Sequence, residues 1–485
     1  MNVAAINISL GGIGPLLILS ATALVVLAID CFWPSERRSH LAYVTVAGCL
    51  VALGATWRLW GAQEAVFGRM IIVDNYSTFF TGIFIVGTTL TTLLSIGYTS
   101  RMGIDRAEYY ALLLFATVGM IMMAQGLNLI TIFLGLETLS ISLYILAGIQ
   151  RQRAASIEAS LKYFLLGAFS SAFFLYGVAL TYGATGSLDL EHITRVVGET
   201  TFASKPLLLI GVGLMLVGFG FKVATVPFHV WTPDVYEGAP TSVTAFMSVG
   251  AKAAGFGAFV RVFSISLQPL SSDWTHLLWL LAVATMVVGN VMAIAQTNIK
   301  RLLAYSSIAH AGYVVVAMVA ASALGTSSVL FYLLVYTFMN LGAFGVVLVL
   351  GRQDKEVLAI DDFAGLGRRA PALAAAMALF MFALAGIPPT AGFVGKFYIF
   401  SAAVQGGFVG LAVIGVLASL VSVYYYFRVV VVMYFMESAG EIPLAPRSAP
   451  ATVALVIAAA ATLALGLFPS PFITAASRSF VAVLF

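Results

Sequence analysis

Charge is scarce in this sequence. Of its 485 residues, 9% are Asp, Glu, Lys or Arg and 61% are hydrophobic, whereas an ordinary soluble domain is about 25% charged. So few charges cannot cover a water-facing surface, and lipid must be the solvent for most of the chain. Cysteine is nearly absent. Cys31 and Cys49 lie in or beside apolar runs, which leaves no metal-ligand spacing and no disulfide framework. No nicotinamide fingerprint, iron–sulfur cysteine set or flavin motif occurs, so no redox catalysis by this chain alone is expected. Basic residues never cluster densely enough for nucleic acid, and a net charge of +4 selects no partner. The stretch Met1 to Leu10 has no basic residue. It lacks the n-region of a cleaved signal peptide, and the first apolar run reads as a true span.

Long apolar runs are what the chain has in abundance. They fall at roughly 11–33, 41–60, 75–98, 107–124, 127–149, 159–184, 206–228, 241–266, 276–296, 302–323, 327–350, 372–403, 406–435 and 451–468. Each is near the roughly 20 residues a helix needs to cross a bilayer. Inside lipid only helices or closed barrels satisfy the backbone, and these runs are too long for barrel strands. The expected fold is an all-α integral membrane protein of about fourteen transmembrane helices.

Basic residues set the orientation. Connections after odd-numbered spans hold thirteen, among them Arg37, Arg38, Arg151, Arg153, Lys300, Arg301, Arg352, Lys355 and Arg447. Connections after even-numbered spans hold Arg58, Arg69, Arg195, Lys205 and Arg261, and Arg478 follows the last span. The positive-inside rule places the odd connections in the cytoplasm and both termini outside.

Five basic residues remain inside spans: Lys162, Lys222, Lys252, Lys396 and Arg428. Glu137 is the mid-span acid, and Asp30 lies nearer a helix end. A charge at the bilayer centre costs roughly 2.5–3.5 kcal/mol or more, so such residues face a bundle interior and mark transport paths. Two spans are also interrupted. In GFGFKVATVPFH, Pro227 lacks an N–H and clashes with the carbonyl of Val223, which breaks the seventh helix. In LAGIPPTAGFVGKF, Pro388 and Pro389 break the twelfth more strongly. Broken helices five spans apart suggest two five-helix repeats, spans four to eight and nine to thirteen. An odd helix number inverts the second copy, and such breaks point to a transport site. The expected segments are 1–106, 107–266, 276–435 and 436–485.

Burial lowers a lysine's proton affinity and a nearby carboxylate raises it. Lys222, with Glu137 as its natural cation-binding partner, could therefore bind and release a proton as that carboxylate moves. Lys252 sits among small residues that allow either tight helix packing or room for water. Lys396 lies past the second break as a terminal carrier. His310 suits a relay, or is a neutral histidine bonded to a hydroxyl. Lys162 either feeds the path or snorkels. His229, Asp234 and Glu237 are read as an outer, solvated loop. Tyr424, Tyr425 and Tyr426 supply hydroxyls or, more simply, a packing stripe. Arg428 pairs with a carbonyl or a lipid headgroup.

The run FGFKVATVPFHVWTPDVYEGAPTSVTAFMSVGAKAAGFGAFVR resembles the N-type, antiporter-like membrane subunits of bacterial respiratory NADH:quinone oxidoreductase, complex I. GNVMAIAQTNIKRLLAYSSIAHAGY and LAGIPPTAGFVGKFYIF do so too, and the likeness runs from the third span to the fourteenth. The resemblance implies that Glu137 matches the fifth-helix glutamate paired with the seventh-helix lysine, Lys222. It implies that Lys252 and Lys396 match the eighth- and twelfth-helix lysines, and Lys162 and His310 accessory polar positions. PDVYEGAP and the lysines at 252 and 396 look N-type rather than L- or M-type, as does the lack of a long lateral helix after the fourteenth span. The function so implied is proton translocation in the bacterial inner membrane, coupled to quinone reduction elsewhere in the complex. NADH, flavin, iron–sulfur clusters and quinone are expected on other subunits. An M-type subunit is expected on one side and small K- and J-type subunits on the other, with membrane lipids around them. The rival readings are a subunit of a multi-component cation/proton antiporter and a structural spacer. A plastid or cyanobacterial quinone oxidoreductase, with another electron donor, is a further subtype.

Overall fold

The computed structural model describes residues 10–33, 38–199, 204–352, 355–437 and 448–479. Arg37 and Arg447 lie outside the described residues, as do the first nine residues and the side chains of Arg352 and Lys355. Among the described residues, thirteen helices are long and apolar enough to cross a membrane. The first six are Gly14–Phe32, Ser39–Arg58, Asn75–Ser95, Ala107–Gln125, Leu129–Ala147 and Ala154–Thr185. The seventh begins with Lys205–Val223 and is followed by Thr241–Ser266, Gln268–Ile294, Ile299–Val319 and Ala323–Val349. Val409–Phe435 and Ala449–Leu467 come last. Between Val349 and Val409, two shorter helices, Pro371–Ala385 and Ala391–Gln405, form the twelfth span in two halves. The described residues thus make fourteen crossings.

Both interruptions fall where the prolines require. The seventh span stops at Val223 and resumes as Trp231–Gly238. The twelfth stops at Ala385 and resumes at Ala391. Each first half ends in a left-handed residue, Ala224 with φ 61° and Gly386 with φ 86°. Alanine in that region costs about 1 kcal/mol. At Gly386 a side chain is doubly excluded, because a Cβ there would lie 2.9 Å from Lys396 Cδ.

The connections gather on two faces. After even-numbered spans, the hairpin of Glu64–Val66 with Ile71–Val73 bridges to Gly126. On the same face Lys205 pairs with Asp273 at 3.0 Å, and Ser266 Oγ donates to Leu190 O. After odd-numbered spans, Arg38 meets Asp105 and Asp30, Tyr98 meets Glu356, and Ser448 Oγ donates to Ile96 O. The alternation of connections between two faces follows.

One local structure recurs across the bundle. Asn128 Oδ1 caps the fifth span while Leu129 N and Leu190 N bond Leu188 O and Leu127 O. Asn298 Oδ1 caps the tenth while Ile299 N and Ile360 N bond Leu358 O and Thr297 O. The helix crossings recur likewise. A Cβ on Gly119 would meet Leu139 N at 2.6 Å, and one on Gly289 would meet Ala309 N at 2.6 Å.

Three expectations need correction. Arg261 is not in a connection: it lies buried at the end of the eighth span, bidentate to Asp74 at 3.1 Å and 4.6 Å from the Tyr76 ring. Lys300 is buried too, between Ala239 O and Glu356. Pairing offsets part of the cost of burying a charge, and because both residues stand near a span end their sequence reads like that of a connection. Asp234 and Glu237 are not in an outer loop. They ride the second half of the seventh span and bond Arg301 on the odd face. His229 sits within the break itself. The hairpin of Glu64–Val66 with Ile71–Val73 and the short antiparallel pair of Gly351–Arg352 with Lys355–Glu356 are further structure that the helix reading did not foresee.

Candidate functional site

The residues of the eighth and tenth spans are almost wholly buried, so charges there have only protein around them. Three of the four mid-span lysines found by pattern lie in the bundle interior around these spans. Lys222, Lys252 and Lys396 are each no more than 4% exposed.

Lys222 ends the first half of the seventh span. Its Nζ donates to Ser140 Oγ at 2.8 Å and stands 5.9 Å from the Tyr163 ring. No ion pair within bonding distance joins it to Glu137 among the described residues. Glu137 is half-buried one helical turn before Ser140, and its Oε1 has no hydrogen-bond partner among the described residues. The expected pair is thus open, with serine holding the ammonium. A small cavity beside Lys222 is lined by Ser140, Tyr144, Ser170 and Gly218.

Lys252 opens the α-helical middle of the eighth span, between π-helical turns Met247–Ala251 and Arg261–Ser266. A π-turn re-aims a side chain and often marks a functional position. Its Nζ donates to both Ser307 O and Ser307 Oγ on the tenth span. Of its small neighbours, Gly255 brings the eighth span onto the stem of Lys222: a Cβ there would lie 3.4 Å from Lys222 Cγ. Tight packing therefore holds at that position.

One turn beyond Ser307, His310 Nδ1 lies 2.6 Å from Tyr332 OH and Nε2 lies 3.1 Å from Tyr426 OH. The donor in each pair depends on the tautomer. Tyr426 OH also meets Ser306 Oγ. Tyr425 OH donates to Asn290 Oδ1 at 2.9 Å, and Asn290 Nδ2 donates to Tyr313 OH at 3.3 Å. Tyr425 and Tyr426 thus supply hydroxyls, while Tyr424 is exposed. A packing stripe was the simpler reading because sequence does not tell which of three adjacent rings faces inward.

Lys396 is 4.9 Å from the Tyr313 ring. Although it follows the second break, it reaches back across it. Its Nζ donates to Leu384 O at 2.9 Å, Ala385 O at 3.0 Å and Ser419 Oγ at 2.8 Å. Those carbonyls end a half-helix and carry its partial negative charge.

The remaining candidates lie off this line. Lys162 pairs with Glu158 at 2.6 Å and Asp234 at 2.7 Å on an exposed flank. Arg428 donates to the carbonyls of Ile294 and Gln296 at the end of the ninth span, the carbonyl alternative. His229 Nδ1 is buried with no partner among the described residues. Sequence reasoning missed Glu356, which accepts from Tyr98 OH, Thr241 N and Oγ1, Arg153 and Lys300. No signal marked it, since it stands in an ordinary charged connection.

The line therefore runs from Glu137 and Lys222 through Lys252, Ser307 and His310 to Lys396. It holds ionisable groups and hydroxyls, and no cluster of metal-binding side chains occurs among the described residues. Such a file suits proton transfer. The family model described as NADH:quinone oxidoreductase/Mrp antiporter, TM, matches residues 126–422, which span this whole line. The chain belongs to that family. NADH-quinone oxidoreductase subunit N of Trichlorobacter lovleyi is 50% identical over 481 residues, 99% of each chain. A chain of Thermus thermophilus respiratory complex I with bound aureothin is 37% identical, with a TM-score of 0.82 over 96% of this chain and 99% of that one. A chain of the Mrp complex from a Dietzia species is 20% identical with a TM-score of 0.85, covering 97% of each. That last likeness shows shared fold alone. Shape does not separate the two kinds of complex, whereas sequence identity sets the N-type subunits apart.

Proposed function

We propose that this chain is an N-type membrane-arm subunit of NADH:quinone oxidoreductase that transfers protons along its buried lysines. The observation that carries the reading is the placement of Lys222, Lys252 and Lys396 on one buried polar line, in a chain half identical to a subunit N. Three unpaired lysines in a bilayer interior would each be costly without such a role. Lys222 holds a proton on Ser140 while Glu137 is apart. Approach of Glu137 favours the ammonium, and its withdrawal favours release toward Lys252. His310 and the tyrosine hydroxyls then link Lys252 to Lys396, where the half-helix carbonyls hold the charge before exit. Spans four to eight and nine to thirteen act as two inverted copies of one unit, a reading supported by the recurring asparagine caps and left-handed breaks.

The odd face is cytoplasmic in this reading and both termini lie outside. Oxidation of NADH and reduction of quinone take place on other subunits, with an M-type neighbour on one side and K- and J-type neighbours on the other. The test is NADH-driven proton uptake into inverted vesicles holding assembled complex with Lys222→Ala. Lost uptake with complex assembled is the expected result. Normal uptake with normal NADH oxidation would leave the chain a structural spacer. Uptake driven by a sodium gradient and indifferent to NADH would make it an antiporter subunit.

A further inference from the structure

Along one seam that opens at the odd face, three buried polar atoms have no well-formed hydrogen bond among the described residues. Thr91 Oγ1 is on the third span, and Asn340 Oδ1 and Tyr336 OH are on the eleventh. All three residues are at most 2% exposed. The third span ends at Ser95 and the eleventh at Val349, both on the odd face. At 1.5 Å per residue Thr91 lies about 6 Å in from Ser95, and the contacts of Gly87 with Thr337 and of Gly345 with Leu94 set Asn340 level with Thr91 and Tyr336 about one turn further in. The third wall is the eighth span, which packs against both and starts at Thr241 on the same face. Lys252, eleven residues on, is about 17 Å deep. A buried polar atom without a protein partner costs 1–3 kcal/mol unless something else bonds it, and water is what such sites in native proteins hold.

The seam is polar from end to end. At its mouth Glu356 binds Tyr98 OH and Thr241. Below it, Tyr109 OH donates to Ser242 Oγ at 2.8 Å and lies 2.7 Å from Ser95 Oγ, one turn above Thr91. Asn340 Nδ2 donates to Ser248 Oγ at 2.6 Å, and Ser248 stands one turn before Lys252. The Tyr336 hydroxyl stands near Ser307, which bonds Lys252 Nζ, without a well-formed hydrogen bond to it. Its ring lies 5.1 Å from that of His310.

We propose that this seam of the third, eighth and eleventh spans is a hydrated branch that delivers protons from the odd face to Lys252, with Asn340 as the residue that positions its water. The inference rests on the proposed function and adds a route of entry to it. An amide does not carry the proton. Asn340 Oδ1 orients a water that accepts one proton from the odd side and gives one onward, by way of Tyr336 and Ser307, to the neutral Lys252 amine. No co-reactant is consumed and no other bond changes.

The test uses assembled complex in inverted vesicles. Asn340→Leu slows NADH-driven proton uptake by about tenfold, the factor that about 1.4 kcal/mol gives and the scale of one lost hydrogen bond. Asn340→Ser keeps a donor and acceptor and restores most of it, with a larger solvent deuterium isotope effect on uptake in the leucine variant. If Asn340→Leu does not assemble, Tyr336→Phe, which removes one oxygen, carries the same expectation. Normal uptake in the leucine or phenylalanine variant overturns the branch. So does equal loss in the leucine and serine variants, which marks packing. Lys252→Ala is the control: if it too pumps normally the wider reading has failed, and if only Lys252→Ala fails to pump the branch alone has.

Discussion

The two broken helices solve one problem in opposite ways. In the seventh span the lysine precedes the break, rests on the single hydroxyl of Ser140, and has a carboxylate, Glu137, near enough to matter but not bonded. In the twelfth the lysine follows the break and folds back onto two terminal carbonyls and Ser419. Where Glu137 stands in the first half, the recurring geometry puts Ser307 in the second. The first ammonium thus depends on a movable full charge, the second on a fixed partial charge of helix carbonyls. A site with a movable counter-charge can be switched. A site held by backbone keeps its field whatever its neighbours do.

The largest expected effect breaks both halves. Lys222→Ala and Lys396→Ala each remove most NADH-driven proton uptake, whereas Glu137→Gln strikes only the first, measured beside NADH oxidation in assembled complex. Next comes the join between the halves. Glu356 ties Thr241 of the first to Lys300 of the second, and Glu356→Ala leaves a buried ammonium with no carboxylate. Such a loss costs about 3–5 kcal/mol, seen as a lower melting temperature of the purified complex. Burial alone would raise this carboxyl. The Lys300 ammonium, with the Thr241 and Tyr98 hydroxyls, outweighs burial and holds it down at about 2. The sign follows: its stabilisation is fully present above the ordinary glutamate range and is lost as pH falls toward 2. The melting-temperature gap between wild type and Glu356→Gln should be flat near neutrality and close only in acid.

Smaller effects sharpen the contrast. Ser140→Ala removes the one hydroxyl bonded to Lys222 and lowers uptake by a step of about 1–3 kcal/mol. Ser419→Ala leaves Lys396 two carbonyls and costs clearly less; equal losses would mean the carbonyls contribute nothing. Smallest is Lys162→Ala on the exposed flank. Surface pairs contribute little, and its melting temperature should move by less than about 2 °C.

The fourteen crossings, both breaks and the three axial lysines were legible in the sequence, because apolar length, proline and a mid-span charge are each local signals. Tyr425 and Tyr426 were half legible: their hydroxyls were visible, but not which rings face inward. Arg261 and Glu356 were not legible, since their meaning lies in partners 187 and 56 or more residues away. The outer-loop reading of Asp234 failed because a short polar helix after a break looks like a surface turn until its packing is known.

The sequence by itself determined that the chain lives in lipid, where it breaks, and which lysines stand in the bilayer interior. Backbone chemistry and the cost of charge in hydrocarbon leave little choice on those points. The tertiary structure alone decided what each lysine touches. It placed Ser140 rather than Glu137 on Lys222, Ser307 on Lys252, and the end of a half-helix on Lys396, because contacts at 3 Å depend on how helices far apart in sequence cross.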